Sequence, residues 1–563
     1  MRFSSYLAVA VGLACSAFAR ILPNTAQSVL AVKTLDVEQV DIIPIINPPT
    51  HSCNVNIVTH VVGTGSSQTY NHTYHPPKNC PGPWSKVVLT YTGASKGRQY
   101  DRLSSIWMGG VEILRTSTAE PTLNGINWEF QTDVTKYSSL FKTKQPLVME
   151  MWNILNDIYN GSYHITTDLT FYGTNKEYPA SQAADMVVPI SSATDGQAWF
   201  SVSSDSDLGS TNVTLPTNIQ AAYLEVYASG QSNDEFWYSN PPTDYANEIN
   251  STGIGNGPFR EVLAYFDGHL IGSTVPHPVI FTGGIVPSLW RPTVSIGGAF
   301  AIPSTWIDVS PFVAWMVDGK SHEFSLQVIN AESFWLLDAN LHLWLDNGSK
   351  RTSGAVLTSS IQPNATVHIN SDVKKNLDAV FKVKVSRSTH AKGYVNTSKG
   401  RVVNEYSYNL DYQNTLTFQD DADNSSWAQT TRQISNSQQT PDRYSKGRPL
   451  AYYISTDYSW MTGGGNNFTV FPDQSIRIDG WINSEDKEKF TEKIGHQSTS
   501  TQFDAQQHGT AYYAANSLSN ANQTSGNGQT KTSISFRDGN RCYSRSVSAS
   551  NSTIVSDKTN NHC

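Results

Sequence analysis

Apolar and polar residues alternate along this chain in short runs, and long stretches with a 3.6-residue period are scarce. The runs "SKVVLTYTG", "YHITTDLTFYG", "AAYLEVYASG", "HEFSLQVIN" and "ANLHLWLDNGS" are β-branched or aromatic and end in Gly, Asn or Ser. Each reads as a strand closed by a turn, and the fold class expected is all-β. A degenerate repeat adds organisation. "WEFQTDVTKYSSLFKTKQPLVMEMWN" starts at Trp128 and "WIDVSPFVAWMVDGKSHEFSLQVIN" at Trp306. Both run Trp, Asp-Val-Thr/Ser, an aromatic, a polar turn and an apolar strand. Asp133 and Asp308 are placed where a strand becomes a crossing, with Thr135 and Ser310 supporting the turn. Two tandem sandwiches of one design account for the repeat.

From about residue 352 the chain becomes rich in Ser, Thr, Asn and Gln, with strand fragments such as "AVFKVKVSRS", "YSYNLDY" and "SIRIDGWI". The expected organisation is a leader at 1–19, an extension at 20–50, sandwiches at 51–178 and 179–348, and a β-rich C-terminal region at 349–563. Lys350-Arg351, in a Gly/Ser setting, is either a dibasic processing site or an ordinary basic linker.

The first residues fix a compartment. Arg2, an apolar run and Ala17-Phe18-Ala19 form a secretory signal peptide cut after Ala19, so a secreted, extracellular protein is expected. Removing that leader moves the net charge from −8 to −9 and leaves four cysteines. Cys53 with Cys80 and Cys542 with Cys563 are most simply two disulfides. No later run is long and apolar enough to span a membrane. Eleven N-x-S/T sequons occur, at Asn71, Asn160, Asn212, Asn250, Asn347, Asn364, Asn396, Asn424, Asn467, Asn522 and Asn551. An acidic chain with no basic stripe excludes nucleic acid as the natural partner. Low charge (15%) with 14 Trp and 26 Tyr favours aromatic surfaces suited to sugar faces.

The candidate chemistry is carboxylate chemistry. No G-x-S-x-G, H-E-x-x-H, Walker or C-x-x-C pattern is present, so no Ser/Cys nucleophile or Cys-based zinc site is expected. Acids instead gather among aromatics. Asp101, Arg102, Glu112, Arg115 and Glu120 share one segment, Glu332 and Asp338 another. Glu150 sits among Val148, Met149, Met151, Trp152 and Ile154, where an ionised carboxylate must be paired, hydrogen-bonded or shifted in pKa. "SNDEFWYSNPP" (232–242) breaks the alternation, setting Asp234 and Glu235 against Phe236, Trp237 and Tyr238. These acids leave two chemistries open: an acid pair cleaving glycosides, or a general base activating water on a carbonyl. A non-catalytic glycan-binding protein is a third possibility.

"DRLSSIWMGGVEILRTSTAEPTLNGINWEFQTDVTKYSSLF", "NDEFWYSNPP", "PFREVLAYFDG" and "INAESFWLLDANLHLWLD" resemble the peptide N-glycosidase A family, clearly over roughly residues 50–350 and more loosely beyond. That family is distantly similar to bacterial enzymes of F type. The resemblance implies two side-by-side jelly rolls with the site in the groove between them. It implies hydrolysis of the amide joining N-acetylglucosamine to asparagine in N-glycopeptides, with no metal or organic cofactor. Asp101 is then the general base, with Glu235 and Glu150 as the other catalytic acids. Arg102, Trp152, Trp237, Tyr238 and Arg291 are the expected substrate-binding residues. Asp234 is expected to face solvent or cap the turn. Bacterial relatives flank the second-half Glu with a disulfide that this chain lacks, and the aromatic run is the expected substitute.

Overall fold

The computed structural model describes residues 36–45, 48–192, 199–251, 254–279, 293, 298–441, 452–470, 476–492, 497–513, 523–538 and 541–562. Cys563, Trp290, Arg291 and the whole leader lie outside the described residues, as do Asn522 and the side chain of Asn467.

The first half carries nine strands: β1 (Val37–Glu38), β2 (Ser52–Val62), β3 (Thr69–Tyr74), β4 (Lys86–Lys96), β5 (Leu103–Met108), β6 (Val111–Ser117), β7 (Ile126–Asp133), β8 (Gln145–Met151) and β9 (Ser162–Tyr172). The second carries β10 (Met186–Ile190), β11 (Phe200–Val202), β12 (Gly209–Thr214), β13 (Ile219–Gly230), β14 (Glu261–Phe266), β15 (His269–Thr274), β16 (Thr305–Asp308), β17 (Ser321–Ile329) and β18 (Trp335–Leu345). The described chain is all-β, built mainly of antiparallel sheets, as its alternating pattern requires.

The repeat is visible in the topology. One sheet of the first half runs β7-β4-β9-β2 and the other β3-β8-β5-β6. The second half runs β16-β13-β18-β10 and β12-β17-β14-β15, the same order with each strand replaced by its counterpart. The crossings match in detail. The Asp133 carboxylate accepts the Thr135 N–H at 2.8 Å, and Asp308 accepts Ser310 at 2.8 Å. Thr135 Oγ1 then accepts the Val87 N–H on β4, and Ser310 Oγ accepts the Ala222 N–H on β13. A short polar side chain mimicking a backbone turn is what the Asp-Val-Thr/Ser pattern provides.

Strand alternation decides which residues meet. In β8, Leu147, Met149 and Met151 enter the core of the first half. Val148 and Glu150 therefore project from the other face, toward the second half. On β5 the registered partners Trp107 and Ser105 share that face. The Glu150 carboxylate is thus buried between the halves and not inside one of them. Cys53 and Cys80 form a disulfide between β2 and the loop before β4.

The C-terminal region is one 11-stranded sheet of β19 (Ser353–Ile361), β20 (Thr366–Val373), β21 (Ala379–Thr397), β22 (Gly400–Gln419), β23 (Asn424–Pro441), β24 (Tyr452–Val470), β25 (Ile476–Glu492), β26 (Gln497–Tyr513), β27 (Gln523–Asp538), β28 (Arg541–Ser550) and β29 (Thr553–Asn560). One face of β21 and β22 is apolar and joins the core of the two halves. Arg387 of β21 is buried against Glu261 of β14, with Nη2 at 2.9 Å from Oε2.

Candidate functional site between the two halves

The halves are joined by polar groups that water does not reach. Glu112 and Arg115 form a two-pronged pair at 2.8 Å for each prong, both fully buried. Arg115 continues across to the Leu336 carbonyl at 2.7 Å and Ser229 Oγ at 3.2 Å. Trp107 Nε1 donates to Asp338 Oδ2 at 2.7 Å, and Asn340 bonds the Glu112 main chain at both its amide atoms. Burial, then the negative charge of Glu112, pushes the Asp338 carboxyl well above the usual carboxylate range. Beside this, Glu225 accepts hydrogen bonds from Lys136, Tyr137, Ser304, Asn340 and His342. Burial raises the Glu225 carboxyl, but Lys136 and His342 outweigh it and hold the group below the carboxylate range. A buried and fully partnered network fixes geometry, since a misaligned member leaves a charge unpaired.

On that base, three segments present the candidate acids. Asp101 and Arg102 end the loop before β5. The Arg102 N–H donates to Thr118 Oγ1 at 2.8 Å, and the Thr118 N–H returns to the Arg102 carbonyl at 2.9 Å. The Arg102 guanidinium turns to Asn153 Oδ1 (3.3 Å) and Gln99 Oε1 (2.5 Å). It braces the loops at 97–102 and 152–161.

Glu150 and Trp152 close β8. The Trp152 indole donates to Glu150 Oε1 and lies edge-on to Trp199, with ring centres 5.8 Å apart. Trp152 is 37% exposed and so has ring surface to offer a sugar. Trp199 was not singled out in the sequence. It packs edge-on between Trp107 and Trp152, at 67° and 89°, and donates to Ser105 Oγ at 3.2 Å. Trp107, Trp199 and Leu336 form an apolar floor, with Leu103, Val148 and Phe334 against it, so both halves contribute.

Glu235 comes from the second half. The stretch 232–242 does not alternate because it is not a strand: two short 3-10 turns, Ser232–Asp234 and Trp237–Ser239, flank Glu235. Gly230 is required just before them. A Cβ there would stand 2.3 Å from the Asp234 carbonyl oxygen. Glu235 keeps some solvent contact yet is ringed by protein. Burial, followed by the negative charge of Asp101, pushes its carboxyl up to about 8. Asp101 and Glu235, 134 positions apart in sequence, are therefore close enough across the two halves for the charge of one to act on the other. Glu120, buried near Tyr100 and Tyr163, adds negative charge at the Asp101 side.

The expectations for Asp234, Trp237 and Tyr238 change here. Asp234 does not face solvent. It is fully buried and bidentate with Arg260 (2.9 and 2.7 Å), and it also accepts Trp335 Nε1 at 2.7 Å and the Glu332 N–H at 2.9 Å. A deep guanidinium partner makes burial tolerable for the acid, and nothing in the local sequence marks Arg260 as that partner. Trp237 and Tyr238, expected to stack on sugars, are 2% and 0% exposed. Trp237 packs on Trp335 of β18 and Tyr238 on Trp427 of β23, so the second half covers one ring and the C-terminal sheet the other. Arg291 lies outside the described residues.

The chain is similar to several known proteins. The family model described as peptide N-acetyl-beta-D-glucosaminyl asparaginase amidase A matches residues 44–362. Peptide-N4-(N-acetyl-beta-glucosaminyl)asparagine amidase A of Prunus dulcis is 34% identical over 552 residues, 92% of each chain. Among solved structures, PNGase F of Flavobacterium meningosepticum aligns with a TM-score of 0.36 at 16% identity, covering 52% of this chain and 96% of its own. PNGF-II aligns with a TM-score of 0.37 at 13% identity, covering 52% of this chain and 65% of its own. With its carboxylates gathered between two repeated halves, and on the family match and the almond relative, this chain belongs to the peptide N-acetyl-beta-D-glucosaminyl asparaginase amidase A family.

Proposed function

We propose that the protein hydrolyses the amide between N-acetylglucosamine and the asparagine side chain of N-glycopeptides, releasing the glycan and leaving aspartate. The observation that carries this reading is that the charge of Asp101, from one half, acts on the buried Glu235 of the other, in a chain of this family. Asp101 takes a proton from the water that attacks the side-chain carbonyl carbon. The hydroxyl joins that carbon, the C–N bond breaks, and the nitrogen departs, protonated, as a glycosylamine. Glu235, whose carboxyl keeps its proton at neutral pH, supplies a hydrogen bond or proton toward the amide. Glu150, held by Trp152, faces the sugar hydroxyls, and the exposed part of Trp152 stacks on a sugar face.

Digesting one defined glycopeptide and weighing both products tests this. A peptide of unchanged length carrying Asp in place of the glycosylated Asn is expected. A peptide retaining N-acetylglucosamine would make the protein a glycoside hydrolase, and an unchanged glycopeptide that stays bound would make it a glycan-binding protein.

The leader and the Cys53–Cys80 disulfide support secretion. The sequon asparagines with described side chains all keep solvent contact, as glycosylation requires. Lys350 and Arg351 are exposed on the link between β18 and β19. Cleavage there would leave two chains held together by the interface with the C-terminal sheet. N-terminal sequencing of the secreted protein is expected to show starts near residues 20 and 352; a single start near 20 overturns the cleavage.

A further inference from the structure

We infer that the C-terminal sheet is a working part of the site: Asn414 on β22 and Trp427 on β23 act as positioning residues that hold the Glu235 turn opposite Asp101. This rests on the reading of Asp101 and Glu235 as the acting groups.

Glu235 lies between two 3-10 turns, and each is tied down from a different direction. The turn before it is fixed within the second half, where Asp234 binds Arg260, Trp335 and the Glu332 main chain. The turn after it is tied to the first by Asn240, whose Nδ2 donates to Asp234 Oδ1 at 3.1 Å and to the Asn233 carbonyl at 3.3 Å. A second anchor comes from the sheet. Asn414 Nδ2 donates to the Tyr238 carbonyl oxygen at 2.9 Å, three residues beyond Glu235. The Tyr238 ring lies against Trp427 with centres 5.5 Å apart, and its hydroxyl donates to the Val279 carbonyl at 3.3 Å. Asn414 is itself oriented: Gln429 Oε1 accepts from Asn414 at 3.3 Å and from the Tyr412 hydroxyl at 2.9 Å. Asn414, Gln429 and Trp427 are all buried.

The sheet can act as a fixed reference because it is bonded to the second half at several points. Arg387 pairs with Glu261. Gln433 Oε1 accepts from the Val275 N–H at 3.0 Å, and its amide donates to the Val275 carbonyl at 3.1 Å. Its strands near the site, β22 and β23, are paired over nearly their whole length. A buried amide on such a strand holds its partner to a fraction of an ångström, which a catalytic carboxylate needs. The contacts also explain why an aromatic run follows Glu235: Tyr238, set between Trp427 and Trp237, transmits the position of the sheet to the acid.

The test uses the full-length chain carrying Asn414→Ala, Trp427→Ala or Trp427→Phe. Phe381→Ala serves as a control, because Phe381 is a buried sheet residue packed on Tyr245 and Phe418, away from Tyr238. For each, kcat, KM and the pH profile are measured on one glycopeptide, alongside thermal unfolding. The titratable groups set against Glu235 are Asp101 from the first half and the Tyr238 phenol. Asn414→Ala and Trp427→Ala are expected to lower kcat about tenfold, since small misplacements are costly at a catalytic group. KM stays nearly constant, and the alkaline limb moves to lower pH as Glu235 draws away from Asp101. Trp427→Phe keeps the ring contact and restores both values, while Phe381→Ala loses stability without moving the limb. Wild-type kcat and limb in Asn414→Ala, or an equal shift in Phe381→Ala, overturns the inference. If Trp427→Ala does not fold, Asn414→Ala and Trp427→Phe decide between the two. Asp101→Asn is run in parallel: if it is inactive while Asn414→Ala is normal, only this inference fails. An active Asp101→Asn fails the functional reading itself.

Discussion

Replacing Asp101 with Asn is expected to reduce glycan release by about three orders of magnitude while leaving the fold intact, the range that a positioned general base commands. The amide nitrogen of Asn cannot accept a proton from the attacking water, whereas its size and outline preserve the loop before β5. That loop stays in place because Arg102 ties it to Thr118, Asn153 and Gln99. The substitution has a second readout. The negative charge of Asp101 is one of the two causes that raise Glu235, burial being the larger. In Asp101→Asn that charge is gone, so the Glu235 carboxyl should titrate below its native value of about 8. The sign for stability follows. A carboxyl raised on folding stabilises the fold at acid pH, and the contribution fades as pH rises from the ordinary range of an acid through about 8. The wild type should therefore lose stability over that interval, and Asp101→Asn should lose less of it. Carbon-detected titration of the Glu235 side chain, with denaturation across the same pH range, checks both. Full activity in Asp101→Asn, or a Glu235 titration that does not move, would sink the assignment of the pair.

Removing the guanidinium of Arg260 should be the most damaging single change to the stability of the second half. Arg260→Met leaves the Asp234 carboxylate fully buried with its countercharge gone and several carbonyls without their donor. Breaking a buried pair from one side costs about 3–5 kcal/mol, far more than the pair itself contributes over two apolar residues. The double variant Asp234→Asn/Arg260→Met removes both charges and should recover part of the loss, because the remaining amide still accepts the Trp335 indole N–H. Denaturant unfolding followed by tryptophan fluorescence reads this, with Trp237 and Trp335 as nearby reporters. A loss under about 1 kcal/mol in Arg260→Met would show a pair that is neither desolvated nor structural. Activity should fall with it, since Asp234 is the residue before Glu235 and fixes the turn that carries it.

The alternating strands, the paired Asp-Val-Thr/Ser crossings and the disulfide between Cys53 and Cys80 could all be read from the chain itself. Each is set by local rules: the period of two along a strand, a short polar side chain that closes a turn, and two thiols close in sequence. The acids were also visible as a class. What each acid does was not. Asp234 and Glu235 are adjacent and chemically alike, yet one is locked to Arg260 and the other is set against Asp101. Only the approach of β14 and of the first half separates them. The same holds for Trp237 and Tyr238: an aromatic residue reads identically whether it faces a sugar or a core. Here Trp335 of β18 lies on Trp237, and Trp427 of β23, far later in the chain, lies on Tyr238. Alternation and turn chemistry belong to neighbours in sequence, so the sequence determined them; burial, countercharge and the distance between two carboxylates depend on which remote segment comes to rest on them, and those the tertiary structure alone decided.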